Sequence, residues 1–225
     1  MNAVRWALAS MFLTRFACVL CSLLTTAALS LPTAYAQTVA PLRVPAAFDP
    51  CTAGDARARA LFREAGRVFQ HPRCLNCHPD GDVPAQGMLS TPHDPPVWRG
   101  PHNQGLPALE CTSCHQDKNA ELARIPGARG WHLAPRSMAW VGKSLGAICE
   151  AIKDPKRNGG KTLAQIVEHV TRDDLVAWGW EPGADREPVP GPHATFSALV
   201  AAWVGEGAAC PDVNATIDPG EGDCP

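Results

Sequence analysis

Two pentapeptides, Cys74-Leu75-Asn76-Cys77-His78 and Cys111-Thr112-Ser113-Cys114-His115, combine residue types and a spacing that can do chemistry. Two thiols three positions apart reach the two vinyl groups on one edge of a porphyrin and form thioethers. A His in the next position then lies under the ring and offers a nitrogen to the iron. This is the attachment signature of a c-type haem. The chain has ten Cys and eight His in 225 residues, so a single chance match is expected roughly 0.02 times. Two matches are hard to dismiss. Paired Cys-x-x-Cys units also hold zinc, but zinc needs no His directly after both pairs, and the interval between these pairs exceeds that of a typical zinc ribbon. Two covalently attached haem c groups are therefore expected. Cys74, Cys77, Cys111 and Cys114 are the attachment residues, and His78 and His115 are the first axial ligands.

The second axial ligand sets function. His/Met ligation raises a haem's potential, His/His lowers it, and an open position invites catalysis or gas binding. His71 lies three residues before Cys74. It is too close to loop around its own haem, but it can project toward a neighbouring one. His93 follows His78 by enough chain to reach the opposite face of the first haem. His132 is the main rival for the second. His71, His93 and His132 are thus the candidate distal ligands, and at least one bis-His haem is expected. Met88 and Met138 are the thioether alternatives; Met is more often core packing. His169 lies beside an apolar helical stripe and reads as a core His. His102 and His193 each follow a Pro and read as solvated.

The N-terminus fits the haem reading independently. Arg5 and Arg15 precede an apolar run over residues 16–31, Pro32 breaks it, and Ala34-Tyr35-Ala36 offers a small-x-small cleavage site. Residues 1–36 read as a secretory signal peptide cleaved after Ala36, which directs the chain to the periplasm, where covalent haem attachment takes place. A retained anchor is the alternative, but the run is short for a span. No later stretch is long and apolar enough, so no stable membrane span is expected after cleavage. Losing Arg5 and Arg15 takes the basic residues from 20 to 18 against 22 acidic, a net charge of −4. With no basic stripe, nucleic acid is not an expected partner.

Four cysteines are left over beyond the signal and the two motifs: Cys51, Cys149, Cys210 and Cys224. In an oxidising compartment an even remainder reads as two disulfides with three possible connectivities. Cys149–Cys210 is favoured, because each falls at the buried edge or end of an expected helix.

The elements that must position these residues are mostly helical. Leu61, Phe62, Ala65, Val68 and Phe69 mark one face of a helix over roughly 53–70, opened by a capping-box-like Thr52-Ala53-Gly54-Asp55. Val141, Leu145, Ile148, Cys149 and Ile152 mark a second. Thr162-x-x-Gln165 is a capping box opening a third, with a second cap expected at Thr171. Phe196, Leu199, Val200, Trp203 and Val204 mark the last, over roughly 193–206. From Pro79 to Leu109 there is little periodicity, and no run alternates as a strand would. A porphyrin supplies the core that such a loop lacks. The interval between motifs is too short for a complete single-haem fold, so the two haems should be close neighbours. The expected class is mainly α: a small irregular dihaem cytochrome c domain, with helices packed around two haems and long loops. It spans residues 37–225, with a haem-binding part (51–135), a helical part (136–210) and an acidic tail (211–225). Two other motifs carry nothing. Gly142-Lys143-Ser144 lacks the earlier glycine and strand of a phosphate loop, and Asn214-Ala215-Thr216 is a sequon without a glycosylating context.

Three further segments carry a family resemblance: Trp131-His132-Leu133-Ala134-Pro135-Arg136-Ser137-Met138-Ala139-Trp140, Lys153-Asp154-Pro155-Lys156-Arg157-Asn158-Gly159-Gly160, and Leu175-Val176-Ala177-Trp178-Gly179-Trp180-Glu181-Pro182-Gly183. With the two Cys pentapeptides, they resemble exported dihaem proteins often labelled isoquinoline 1-oxidoreductase subunit. The resemblance implies redox protein partners, among them a molybdenum hydroxylase that oxidises N-heterocycles or aldehydes. The chain has neither plant-type iron–sulfur Cys spacing nor a molybdopterin domain, so it is not the hydroxylating subunit. The expected role is a periplasmic carrier of single electrons, not an enzyme in its own right. A peroxidase-like haem enzyme with one open iron, or a zinc-stabilised interaction module, is the alternative.

Overall fold

The computed structural model of the protein describes residues 40–51 and 54–213. The expected signal peptide, the sequon, Cys224 and most of the acidic tail lie outside these residues, as do Thr52 and Ala53. Among the described residues there are six α-helices and a few short strands, with no closed sheet. In chain order the helices are α1 (Asp55–Phe69), α2 (Pro72–Leu75), α3 (Leu145–Lys153), α4 (Leu163–Arg172), α5 (Asp174–Ala177) and α6 (His193–Gly205). The mainly helical expectation holds at this level. No described helix is long and apolar enough to cross a membrane.

Local chemistry explains the helix boundaries. Gly54, at φ 88°, is the N-cap of α1. Pro72 opens α2, where a missing N–H costs nothing, and the His71 side chain accepts from the Arg73 amide as its cap. The Ser144 hydroxyl caps α3, so the hydroxyl of the false phosphate loop has a structural use. The expected capping box at Thr162 and Gln165 is present in both directions. The next cap is not at Thr171. Thr171 donates back to the Val167 carbonyl inside α4, and Asp173 takes the role, accepting from the Leu175 and Val176 amides. A carboxylate two or three residues from free amides is the stronger acceptor.

The core forms where α1 and α6 pack. Leu61, Phe62, Val68, Phe196, Leu199, Val200 and Trp203 are essentially inaccessible. Phe62 meets Trp203 with centroids 4.8 Å apart, and Phe69 meets Phe196 edge-on at 5.1 Å. The Cys149–Cys210 disulfide ties α3 to the chain just beyond α6, as expected. Cys51 is also disulfide-bonded.

The segment between the motifs is more ordered than its sequence suggests. It holds two antiparallel hairpins, β1 (Ala85–Gln86) with β2 (Thr91–Pro92) and β3 (Gly105–Leu106) with β4 (Leu109–Glu110). A third, β5 (Lys118–Ala120) with β6 (Ile125–Ala128), follows the second motif. Its organiser is Arg99. This buried guanidinium donates to the Gly81 and Ala134 carbonyls and to Asn103 Oδ1, fastening the loop to the segment after the second motif.

One buried carboxylate supplies a pH-sensitive contact. Glu64 of α1 is 5% exposed and pairs with Arg43 at 3.0 Å and Arg67 at 2.7 Å. Burial alone raises its carboxyl, but hydrogen bonds from the Arg43 amide and from both guanidinium groups outweigh it and hold the group below its ordinary value. Its contribution is therefore complete above the unfolded carboxyl pKa of about 4.3 and is lost as pH falls through the folded value. Glu64→Gln should cost about 1–2 kcal/mol at pH 7, discounted because both arginines are partly solvated. Urea denaturation should show the gap to wild type narrowing below pH 4. An unchanged gap would mean the carboxylate charge is not the source.

Candidate functional site

Each pentapeptide begins at a turn of helix. α2 and the turns after it carry Cys74, Cys77 and His78, with the Cys77 amide bonded to the Cys74 carbonyl and the His78 amide to the Leu75 carbonyl. A 3-10 turn over Cys111–Ser113 carries the second motif. Its Cys114 and His115 amides both bond the Cys111 carbonyl. Neither motif contains a disulfide.

The two motif histidines are held in the same way by unrelated parts of the chain. His78 Nδ1 lies 2.7 Å from the Met138 carbonyl, and its ring stacks on Trp140 with centroids 3.4 Å apart and planes 9° from parallel. His115 Nδ1 lies 2.8 Å from the Pro126 carbonyl, and its ring stacks on Trp131 at 4.5 Å and 7°. A carbonyl oxygen only accepts, so Nδ1 carries the hydrogen in both, and Nε2 keeps its lone pair. Burial pushes the His78 imidazole down to about 3 and lowers His115 as well. Both rings are neutral at pH 7, as metal ligation requires.

Three of the four thiols are held in the protonated form by their surroundings. A reactive Cys-x-x-Cys thiol needs a depressed pKa. Burial pushes Cys74 up to about 12 and Cys77 to about 11, with Cys111 adding to the effect on Cys77. Cys111 is raised too.

Two cavities adjoin these motifs. The first, about 160 Å³, is lined by Cys74, Cys77, His78, Met138, Trp140 and His169, among others. The second, about 460 Å³, is lined by Cys77, Cys111, Cys114, His115, His93 and Trp131, among others. Arg73, Cys77 and His132 line both, so the two spaces are neighbours. Trp131 continues into Trp178, edge-on at 4.9 Å, and Arg73 lies over Trp178 at 5.8 Å.

The candidate distal histidines fall in different places. His93 sits beside His115 in the second cavity, with centroids 5.8 Å apart and planes at 75°, not beside His78 as its position in the chain suggests. Its Nδ1 bonds the Pro95 carbonyl at 2.8 Å, so Nε2 is available. His132 Nδ1 bonds the Gly130 carbonyl, and the ring reaches both cavities. His71 lines neither. It has spent its Nδ1 lone pair on the cap of α2, which puts the hydrogen of the neutral ring on Nε2. His102 is exposed. His193 is not solvated as expected: its Nε2 meets the Val170 carbonyl at 2.6 Å, and the ring stacks on Trp180 at 4.3 Å. Met88 lies outside both cavities, and Met138 is buried.

Sequence reasoning missed two features. Trp131 and Trp140 bracket one decapeptide and each covers a motif His, which no local pattern announces. His169 lines the first cavity with His78, and its Nδ1 lies 3.2 Å from Asp173 Oδ2. The i,i+4 spacing of His169 and Asp173 was a usable signal. Among the described residues, no group of three or more His, Cys, Asp or Glu is placed to hold a metal ion by itself. No family model, curated protein or solved structure matches this chain.

Proposed function

We propose that this chain is a dihaem c-type cytochrome that carries single electrons between redox proteins in the periplasm. One observation carries the reading. Each Cys-x-x-Cys-His motif ends in a neutral imidazole whose Nδ1–H is given to a backbone carbonyl, 60 residues away for His78 and 11 for His115. Metal-ligating histidines use this arrangement, because the outer bond fixes the tautomer and aims Nε2. A bound haem would supply a one-electron iron couple.

The residues present fit that group. Four thiols stand beside the two imidazoles, uncommitted to disulfides. The second cavity lies within the roughly 300–1,000 Å³ of small-ligand sites. The first is smaller, and its fit rests on its donors, since Cys74, Cys77 and His78 all line it. In the second cavity the His93 and His115 rings stand 5.8 Å apart, and each has its Nδ1 bonded to a backbone carbonyl, so Nε2 of each would be available to the iron. His93 would then serve the second haem. A zinc site would instead need three or four converging protein donors, an arrangement not found among the described residues.

The motif histidines are held by fixed backbone carbonyls and stacked rings, which would keep reorganisation small when charge changes, and the shared wall of Arg73, Cys77 and His132 would put the two centres side by side. The resemblance extends the reading to a molybdenum hydroxylase as electron donor.

The test is a spectroscopic redox titration of the exported protein. Two reversible one-electron steps with low-spin spectra throughout are expected. A stable high-spin haem that turns over peroxide would replace the carrier by the peroxidase-like enzyme.

A further inference from the structure

We propose that His169 is the distal ligand of the haem at Cys74, Cys77 and His78, and that Asp173 positions it. This assignment rests on the haem reading above and completes it, because His169 lines the first cavity and not the second, and a carboxylate orients its ring.

The argument starts from α4. Its capping box at Thr162 and Gln165 fixes the first turn, and Ile166 and Val170 are buried, each about 5% exposed, on the face that lines the first cavity. His169 is on the same wall, adjacent to Val170. Its side chain is 39% exposed, so it meets both cavity and water. Asp173 holds Nδ1 at 3.2 Å through Oδ2, while its Oδ1 accepts from the Leu175 and Val176 amides. The carboxylate is therefore fixed by α5 before it touches the imidazole. A carboxylate on one ring nitrogen leaves the other for metal and raises its basicity.

The alternatives in that cavity are less well prepared. His132 is oriented only by the Gly130 carbonyl within its own loop and lines the second cavity as well. Met138 is fixed to His78 itself, its carbonyl accepting from Nδ1 on the side of that ring away from Nε2. Lys161 lines the cavity, but no described hydrogen bond or ion pair orients its ammonium.

With His93 beside His115, this gives two bis-imidazole centres: His78 with His169, and His115 with His93. The four imidazoles come from four separate segments. Folding is then the event that completes both iron sites, since only the proximal histidines travel with the attachment motifs.

The experiment uses the exported chain, read by visible absorption, electron paramagnetic resonance and carbon monoxide binding to the reduced protein. His169→Ala should keep two haems, convert one of them to high-spin, and make that one bind carbon monoxide. Added imidazole should restore the low-spin signal. His132→Ala should leave both haems low-spin. Asp173→Asn should keep both low-spin but raise the midpoint potential of one haem alone, which a purely structural role would not do. If His169→Ala is not exported, His169→Met decides: a new thioether–iron band from one haem supports the assignment, and unchanged spectra contradict it. Two low-spin haems in His169→Ala overturn the assignment and leave the cytochrome reading intact. A wild-type protein with no haem overturns both.

Discussion

Replacing Cys149 and Cys210 together by Ala should lower the stability of the oxidised protein by about 4 kcal/mol, the chain-entropy value for a closed loop of this size. The bond spans 61 positions and closes a loop containing α4, α5 and α6. Opening it widens the unfolded ensemble more than it perturbs the native contacts. Cys149 is fully buried, so Ala also leaves a small void that adds to the loss. Urea denaturation should show the midpoint falling by roughly 2 M with the slope little changed, given slopes of about 1–3 kcal/mol per M. A loss under about 1 kcal/mol would show that packing of α3 on α1, not the cross-link, holds this region.

The second large effect separates the two motifs. Cys111→Ala/Cys114→Ala should yield a folded protein with one haem. The second motif lies on a 3-10 turn outside the hydrophobic core, and its Cys114 is exposed. Cys74→Ala/Cys77→Ala should also lose one haem, but at greater cost to folding. Cys74 and Leu75 pack directly on the core formed with α1, and Cys77 lines both cavities. The asymmetry should be visible in exported yield and in the denaturation midpoint, with haem staining giving the haem count. Equal yields would indicate that the haem at the first motif is not part of the core.

The parts of this protein that were legible in the sequence are those written in local chemistry. Thr162 and Gln165 are three residues apart and cap reciprocally. Phe196 through Trp203 read as one helix and form it. Cys149 and Cys210 were paired from their positions at helix edges, and they pair. The hairpins were not legible, because strands of two residues such as Ala85–Gln86 are too short to show alternation. The loop that carries the first two is fastened by Arg99, whose partners include the Ala134 carbonyl 35 residues away. Within the candidate site, the pentapeptides stand out in the sequence as patterns, but their supports do not. Any residue can offer a carbonyl, so nothing marks Met138 or Pro126 in advance as the acceptor for His78 or His115. His93 could be tied to a motif only by distance along the chain, which suggested His78; the fold of the intervening hairpins brings it to His115 instead. In the sequence, His169 reads as core from its apolar neighbours Ile166 and Val170. Those neighbours do belong to the core, but they also line the first cavity, and His169 beside them is 39% exposed; periodicity alone does not separate a core face from one that also borders a cavity.

The measurement that tests the central claim most directly is haem stoichiometry on the exported wild-type chain. Intact mass spectrometry under denaturing conditions, paired with a pyridine haemochrome assay, counts covalent haems without assuming anything about ligands or partners. Two haem masses added to the polypeptide, with a c-type haemochrome of matching intensity, are the predicted result. A mass equal to the bare polypeptide, or one haem alone, would contradict it.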